Sequence, residues 1–156
     1  MTQFEKLLRG LAEHEIKFVL VGGLAASAHG SSYITKDLDI CYERSTDNIK
    51  KLVIYLQSIH AKLRGSFEGE LPFLLDEKTF SFSINFTFKT DLGDFDLLGE
   101  MSGVGSYAEA LKLSEPIEIF GHRADILSIE GLLRAKKAAG RPKDLAHIKE
   151  LEGIRA

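Results

Sequence analysis

The stretch that decides the fold is Val21-Gly22-Gly23, followed after thirteen further residues by Asp37-Leu38-Asp39-Ile40. The apolar run from Ile16 to Val21 predicts a buried strand that ends in a glycine turn. A glycine turn that opens a helix is a place where phosphates bind unpaired backbone N–H groups. The second stretch predicts a strand, on which side chains two apart point to one face. Asp37 and Asp39 are therefore expected to grip one hard cation, such as Mg²⁺ carrying substrate phosphates.

Size and composition indicate a soluble protein built as one domain. The chain has 156 residues, 44% of them hydrophobic, and one cysteine, Cys41. The single cysteine excludes an internal disulfide and is typical of a reducing cytoplasm. No apolar run reaches the roughly 20 residues of a membrane helix, and the first residues do not form a secretion signal. A net charge of −3 argues against broad coating of a nucleic-acid backbone.

The periodicity of apolar residues predicts an α+β domain, with a short mixed sheet backed by helices. The clearest strand pattern is Phe80 to Phe88, where aromatic or aliphatic residues alternate with polar ones. Residues 64–78 are predicted to be loop or an irregular edge. The predicted helices cover 3–14, 24–29, 46–60, 107–112, 128–139 and 143–151, and the predicted strands cover 16–21, 37–42, 80–88, 94–98 and a hairpin over 117–126.

A second acidic pair, Asp94 and Asp96, has the same spacing as the first. A strand carrying this pair beside the Asp37–Asp39 strand would bring a third carboxylate to the cation. Asp96 is the better candidate because it lies within an apolar run and a buried carboxylate needs a partner or a metal. Three carboxylates suit a two-metal site for phosphoryl chemistry. The alternative is that the aspartates only solvate strand ends, and Asp94 is equally compatible with the hairpin turn.

Basic residues cluster near the end of the chain. Lys136 continues the apolar stripe of its predicted helix, so its amine either reaches into a cleft or extends to the surface. Arg141 and Lys143 flank Pro142 at a predicted helix start, where an anion is favoured. An ordinary junction between two helices explains that segment equally well. His29 either ends a helix, the interpretation that we favour, or approaches the cleft. Cys41 fits a packed thiol better than a nucleophile, since no partner base is evident.

These motifs resemble the DNA polymerase β-like nucleotidyltransferase superfamily, and in particular its small prokaryotic AbiEii toxin and minimal nucleotidyltransferase members. The resemblance rests on Val21-Gly22-Gly23, on His29-Gly30, on Thr35-Lys36-Asp37 with Asp39, and on Asp96 within the run 93–98. The tail over 136–145 resembles the basic segment that follows the catalytic sheet in that family. The match spans about residues 5–151, within a domain that we place at 1–156. Gly23 departs from a Gly-Ser version of the turn, and Tyr33 stands where related chains often carry arginine.

The resemblance implies a nucleotidyltransferase-like fold and transfer of a nucleoside monophosphate from an NTP to a hydroxyl, with pyrophosphate released. It implies an acceptor such as an RNA end (of a tRNA, for example), a protein side chain or an aminoglycoside-like small molecule. A toxin–antitoxin role, with an antitoxin or a second copy as partner, fits the same family. In this interpretation Asp37, Asp39 and Asp96 are catalytic and bind Mg²⁺ or Mn²⁺. The expected nucleotide-binding residues are Gly22, Gly23, Thr35, Lys36, Lys136, Arg141 and Lys143.

Two other functions are compatible with the sequence. The first is a catalytically silent nucleotide-binding or partner-binding module with the same fold, whose biological effect would survive Asp39→Ala. The second is a metal-dependent phosphohydrolase, which would release phosphate without any acceptor. Release of pyrophosphate only when an acceptor is added would exclude the hydrolase.

Overall fold

A mixed β-sheet organises the protein. The structure, a computed structural model, describes residues 2–64 and 75–156, and within these ranges seven strands form one sheet in the order β3-β4-β5-β2-β1-β9-β8, while β6 and β7 form a separate short hairpin. The strands are β1 (Phe18–Val21), β2 (Asp37–Tyr42), β3 (Lys62–Leu63), β4 (Asn85–Thr90), β5 (Gly93–Leu98), β6 (Glu100–Met101), β7 (Gly105–Ser106), β8 (Ser114–Ile119) and β9 (His122–Leu127).

One of the helices begins and ends at residues with recognisable capping chemistry. Ser128 Oγ accepts a hydrogen bond from the Gly131 N–H at the start of one helix, and Gly140 ends that helix at φ +62°. In this structure the helices are α1 (Phe4–Glu13), α2 (Gly22–Ala28), α3 (Thr46–Ser58), α4 (Thr79–Phe82), α5 (Tyr107–Lys112), α6 (Ile129–Ala139) and α7 (Leu145–Arg155), with a 3-10 turn at Pro142–Asp144.

The centre of the sheet is two strands that run parallel. β2 pairs with β1 in antiparallel register and with β5 in parallel register. Leu38 and Ile40 in β2, and Phe95 and Leu97 in β5, are buried almost completely. Since successive side chains alternate between the two faces of a strand, these apolar residues direct the aspartates between them to the opposite face. The same alternation that builds the core thus presents the acidic residues together.

The α+β prediction with a short mixed sheet is confirmed, but one predicted strand is wrong in its first part. The sequence predicts one strand over 80–88, whereas α4 occupies Thr79–Phe82 and the strand starts at Asn85. Asp76 begins a turn in which its carboxylate accepts the Lys78 N–H at 3.0 Å, and this turn leads into the helix. The alternating apolar pattern did not register that local signal. Of the predicted loop over 64–78, residues 65–74 lie outside the described ranges.

In the described part of the chain, every helix is too short or too polar to cross a membrane.

Candidate active site

Three carboxylates meet on one face of the sheet. The parallel register of β2 and β5 places Asp37 beside Asp94 and Asp39 beside Asp96. One carboxylate oxygen from each of Asp37, Asp39 and Asp96 lies within 4.8 Å of the others, and all three residues are half-buried. Asp94 joins the same face one step along β5. The structure thus brings together the aspartates that the spacing of the two pairs singles out.

The oxygen spacing suits a divalent cation of the magnesium class. Mg²⁺ takes oxygen ligands at about 2.0–2.1 Å, so two ligands on one ion lie within about 4 Å of each other. Two-metal sites separate their ions by about 3.5–4 Å and share carboxylates between them. A set of three carboxylate oxygens within 4.8 Å therefore fits one ion, or two that share ligands, with small side-chain adjustments.

The Gly22 turn lies directly against Asp39. A β-carbon built on Gly22 would come within 2.1 Å of Asp39 Oδ2, and Gly22 also has φ +70°. Both the close approach and the left-handed backbone conformation require glycine at this position. The turn between β1 and α2 is consequently held against the carboxylate cluster, with bare backbone facing it.

Gly23 makes a second close approach, to Thr35. A β-carbon on Gly23 would lie 2.5 Å from Thr35 Cβ and 2.8 Å from Thr35 Oγ1. Thr35 Oγ1 donates to the Asp37 carbonyl at 3.1 Å. The Thr35 side chain therefore fills the space that a side chain at residue 23 would take, and it places a hydroxyl beside the turn. Neighbouring Lys36 is exposed, and its carbonyl accepts a hydrogen bond from Thr2 Oγ1.

Arg64 is a member of the cluster that sequence reasoning missed. Its guanidinium lies 2.5 Å from Asp96 Oδ1, 3.3 Å from Asp94 Oδ2 and 3.6 Å from Asp37 Oδ1. The residue follows β3, whose two residues are too short to show a period. The one signal in the sequence is an isolated arginine beyond an amphipathic helix, which is not specific. Arg64 acts here as the internal counterion of the acidic residues.

The proton affinity of the cluster reflects crowded negative charge. Burial, followed by the neighbouring Asp96 and Asp37 charges, raises the pKa of Asp39 from 3.8 to about 8. Burial also raises the pKa of Asp96, although its hydrogen bond with Asp39 and the Arg64 charge oppose that increase. This crowding of negative charge favours the protonated form of Asp39 in the metal-free site, whereas the Arg64 charge acts in the opposite direction and lowers the pKa of Asp39.

We expect Arg64→Gln to tighten Mn²⁺ binding in the absence of nucleotide. The substitution removes a cation that competes for Asp96 and leaves the carboxylates less neutralised, so affinity should rise on the order of three- to tenfold. Isothermal titration calorimetry of Mn²⁺ measures it. Lys89→Gln is the matched control, because it changes the net charge of the protein by the same amount. Lys89 lies opposite Asp94 in the sheet and has no ion pair among the described residues. Equal effects of both substitutions would contradict a specific role for Arg64.

Two of the predicted basic residues, Lys136 and Arg141, group around a different carboxylate. Asp144 is buried, and its oxygens accept from Arg141 Nε at 2.8 Å and from Lys136 Nζ at 3.4 Å. The hydrogen bond from Arg141 is the main cause that lowers the pKa of Asp144. Lys143 is exposed. Lys136 and Arg141 thus tie α6 to the turn before α7, and their contact with a nucleotide stays a prediction.

We expect Asp144→Asn to lower stability without touching the aspartate cluster. Loss of the charge-assisted bonds should cost about 1–2 kcal/mol, and for a chain of this size that corresponds to a fall in Tm of roughly 2–8 °C. Thermal unfolding at pH 7 is the measurement. Asp47→Asn, which breaks an exposed i,i+4 pair with Lys51, should change stability by less than about 0.5 kcal/mol. Equal Tm values for the two variants would show that the Asp144 cluster does not stabilise the fold.

Three other residues singled out in the sequence have structural partners. His29 Nε2 lies 2.9 Å from the Leu127 carbonyl. Burial raises the pKa of the Cys41 thiol to about 12, so it is a poor nucleophile at neutral pH. The Tyr33 ring packs on His147 with 4.2 Å between ring centroids. Nearby, Ser31 and Ser32 hydroxyls donate to the Glu150 carboxylate. The segment that precedes β2 is therefore fastened to α7.

Comparison with solved structures identifies the fold. The lincosamide antibiotic adenylyltransferase LnuA, in its lincomycin-bound crystal structure, superposes with a TM-score of 0.65, covering 99% of this chain and 98% of LnuA at 15% identity. The chain has a nucleotidyltransferase fold. The antibiotic-resistance factor ANT(2'')-Ia, solved in solution, superposes with a TM-score of 0.61 at 14% identity, covering 97% of this chain and 80% of the other.

A third structure agrees. TM1012 of Thermotoga maritima, described as a putative nucleotidyltransferase, superposes with a TM-score of 0.55 at 15% identity, covering 99% of this chain and 93% of TM1012. No family model matches the sequence, and no curated protein matches it. The likeness to these structures, at 14–15% identity, establishes the fold.

Proposed function

We propose that the protein transfers a nucleoside monophosphate from an NTP to a hydroxyl group with the help of Mg²⁺ or Mn²⁺. The observation that carries this proposal is the parallel register that gathers Asp37, Asp39 and Asp96 within 4.8 Å beside the bare Gly22 turn. The likeness to LnuA and ANT(2'')-Ia supports it, since both superpose along nearly all of this chain.

In the proposed reaction the acceptor oxygen bonds to the α-phosphorus while the bond from that phosphorus to the bridging oxygen of pyrophosphate breaks. The metal, when bound, neutralises charge that develops on the phosphate oxygens. Asp37 and Asp39 hold it, and Asp96 completes the set and accepts the proton of the acceptor hydroxyl. Gly22 and Gly23 let the triphosphate approach the backbone, and the Thr35 hydroxyl lies beside that turn. Lys36, Lys136, Arg141 and Lys143 are proposed to neutralise the phosphates.

A small molecule is the acceptor that we favour. LnuA is an adenylyltransferase for lincosamide antibiotics and was crystallised with lincomycin. ANT(2'')-Ia is an antibiotic-resistance factor. The net charge of −3 also gives an RNA acceptor little general attraction. The AbiEii-type assignment, a toxin role with an antitoxin or second copy as partner, the extent of the domain as 1–156, and a cytoplasmic location stay predictions from the sequence.

Calorimetric titration with ATP, CTP, GTP and UTP tests the proposal. Each NTP is titrated with and without Mg²⁺ into the wild type and into Asp39→Ala. We expect Mg²⁺-dependent binding of at least one NTP by the wild type and none by the variant. The preferred NTP then serves as donor in an assay for pyrophosphate release with added acceptors. Failure of every NTP to bind a folded wild-type protein would overturn the proposal and favour the silent module.

A further inference from the structure

A cavity adjoins the carboxylate cluster on the side away from the glycine turn. It has a volume of about 630 Å³, and Leu63, Arg64, Phe82, Asn85, Phe86 and Thr87 are among its lining residues. Arg64 lines the cavity and also belongs to the carboxylate cluster, because its guanidinium contacts Asp96. Thr87 lies directly opposite Asp96 in the sheet. The cavity and the cluster are therefore neighbours that share a wall.

The order of the strands places this cavity and the glycine turn on opposite sides of the aspartates. β3 and β4 lie on one side of the β5–β2 pair, and β1 with its glycine turn lies on the other. Phosphoryl transfer places the attacking and leaving oxygens roughly in line through the phosphorus. If the triphosphate lies at the glycine turn, the incoming hydroxyl approaches from the opposite side. That side is where the cavity opens beside Asp96.

The residues that line the cavity indicate what kind of molecule fits it. Phe82 projects from α4 with 86% of its surface exposed, and its ring forms part of the cavity lining. Asn85 Oδ1 accepts the Gly99 N–H at 2.8 Å. This bond fixes the amide and leaves its N–H donors without an acceptor among the described residues. An apolar wall with a few fixed polar groups, in a volume between about 300 and 1,000 Å³, is typical of a small-molecule site.

We infer that this cavity binds the acceptor, and that the acceptor is a small polyhydroxylated molecule with one apolar face. Phe82 covers the apolar face, while Asn85 and Thr87 direct a hydroxyl toward Asp96. Arg64 at the mouth contacts Asp96, and the other two charged residues among the described lining, Asp76 and Lys78, have opposite signs. The lining therefore offers a nucleic-acid backbone little excess positive charge. The inference rests on the proposed function for the identity of the reaction, but not for the existence of the site.

Two probes test the site directly: lincomycin and p-nitrophenyl β-D-glucopyranoside, each titrated into ¹⁵N-labelled protein. We expect amide shifts that centre on Asn85 and Thr87, and Phe82→Ala should weaken binding at least about fivefold. The exposure of Phe82 makes the substitution compatible with folding. Phe120→Ala is the matched control, because Phe120 is also an exposed phenylalanine but follows β8 at the far edge of the sheet, and its affinity should equal that of the wild type.

Titration of Mn²⁺ with ATP into the same variants separates this inference from the proposed function. Nucleotide binding together with probe shifts that lie elsewhere, or that survive Phe82→Ala unchanged, would overturn the acceptor site and leave the transferase standing. Probe binding at the cavity without nucleotide binding would retain the site and remove the transferase. Absence of binding by both probes at about 5 mM (a concentration on the order of a weak fragment's Kd), or a response only to an added tRNA, would overturn the small-molecule assignment.

Discussion

Asp39→Asn is expected to raise the stability of the metal-free protein while it abolishes nucleotidyl transfer. The pKa of Asp39 is raised from 3.8 to about 8, so between these pH values the folded state holds a proton that the unfolded state has released. The contribution of Asp39 to the stability of the metal-free wild type should therefore fall as pH rises from about 4 to about 8, and then level off. Asparagine carries no titrating proton, so its stability advantage should grow across the same window.

At pH 8 we expect Asp39→Asn to add at least about 1 kcal/mol, which corresponds to a rise in Tm of about 2–4 °C or more. Thermal unfolding in EDTA at pH 5, 6.5 and 8 measures the effect. Transfer should fall at least about a hundredfold, and Mn²⁺ binding more than about tenfold. Asp125→Asn, in β9 of the same sheet but outside the cluster, should show neither change. A variant that melts earlier than the wild type at pH 8 would contradict the crowded-carboxylate account.

Gly22→Ala is expected to disable the site by moving Asp39. The new β-carbon would lie 2.1 Å from Asp39 Oδ2, so the carboxylate or the turn must shift by about an ångström. Misplacement of that size near reacting groups costs on the order of a hundredfold in rate. We expect a comparable loss of transfer and weaker Mn²⁺ binding, measured by pyrophosphate release and by calorimetry.

Gly121→Ala separates the steric effect of Gly22→Ala from backbone strain. Gly121 has φ +78°, close to the +70° of Gly22, but its β-carbon would meet no atom within 4 Å. The control should lose about 1–2 kcal/mol of stability from left-handed backbone strain and keep its transfer rate. Equal rates in the Gly22 and Gly121 variants would show that the turn does not position the carboxylate.

Local patterns in the sequence predict the strands that carry the aspartates and the helix that follows the sheet. Alternation of aspartates with buried residues in β2 and β5 is a period of two that can be read without knowing the partner strand. The Ser128 cap and the Gly140 terminus of α6 are equally local signals. These features locate the three aspartates and the helix that follows the sheet, and they suffice for the fold class.

The rest depends on contacts between distant parts of the chain. Arg64 follows a two-residue strand and reaches Asp96 across β4, and no period or spacing in the sequence reports such a reach. The Asp144 cluster similarly gives Lys136 and Arg141 a partner that a helical stripe cannot reveal. The helix at 79–82 is a different case, because the alternating phenylalanines resemble a strand while the local turn at Asp76, just before them, leads into the helix.

The parallel pairing of β2 with β5 also disfavours misaligned forms of the sheet during folding. A shift of one residue between strand and core would turn Asp37, Asp39, Asp94 and Asp96 inward and expel Leu38, Ile40, Phe95 and Leu97 into water. Burying several unpartnered carboxylates while exposing four large apolar side chains is costly on both counts. Mispaired forms of this sheet are therefore expected to be short-lived. The aspartates proposed for chemistry thus also favour the correct alignment of the strands that carry them.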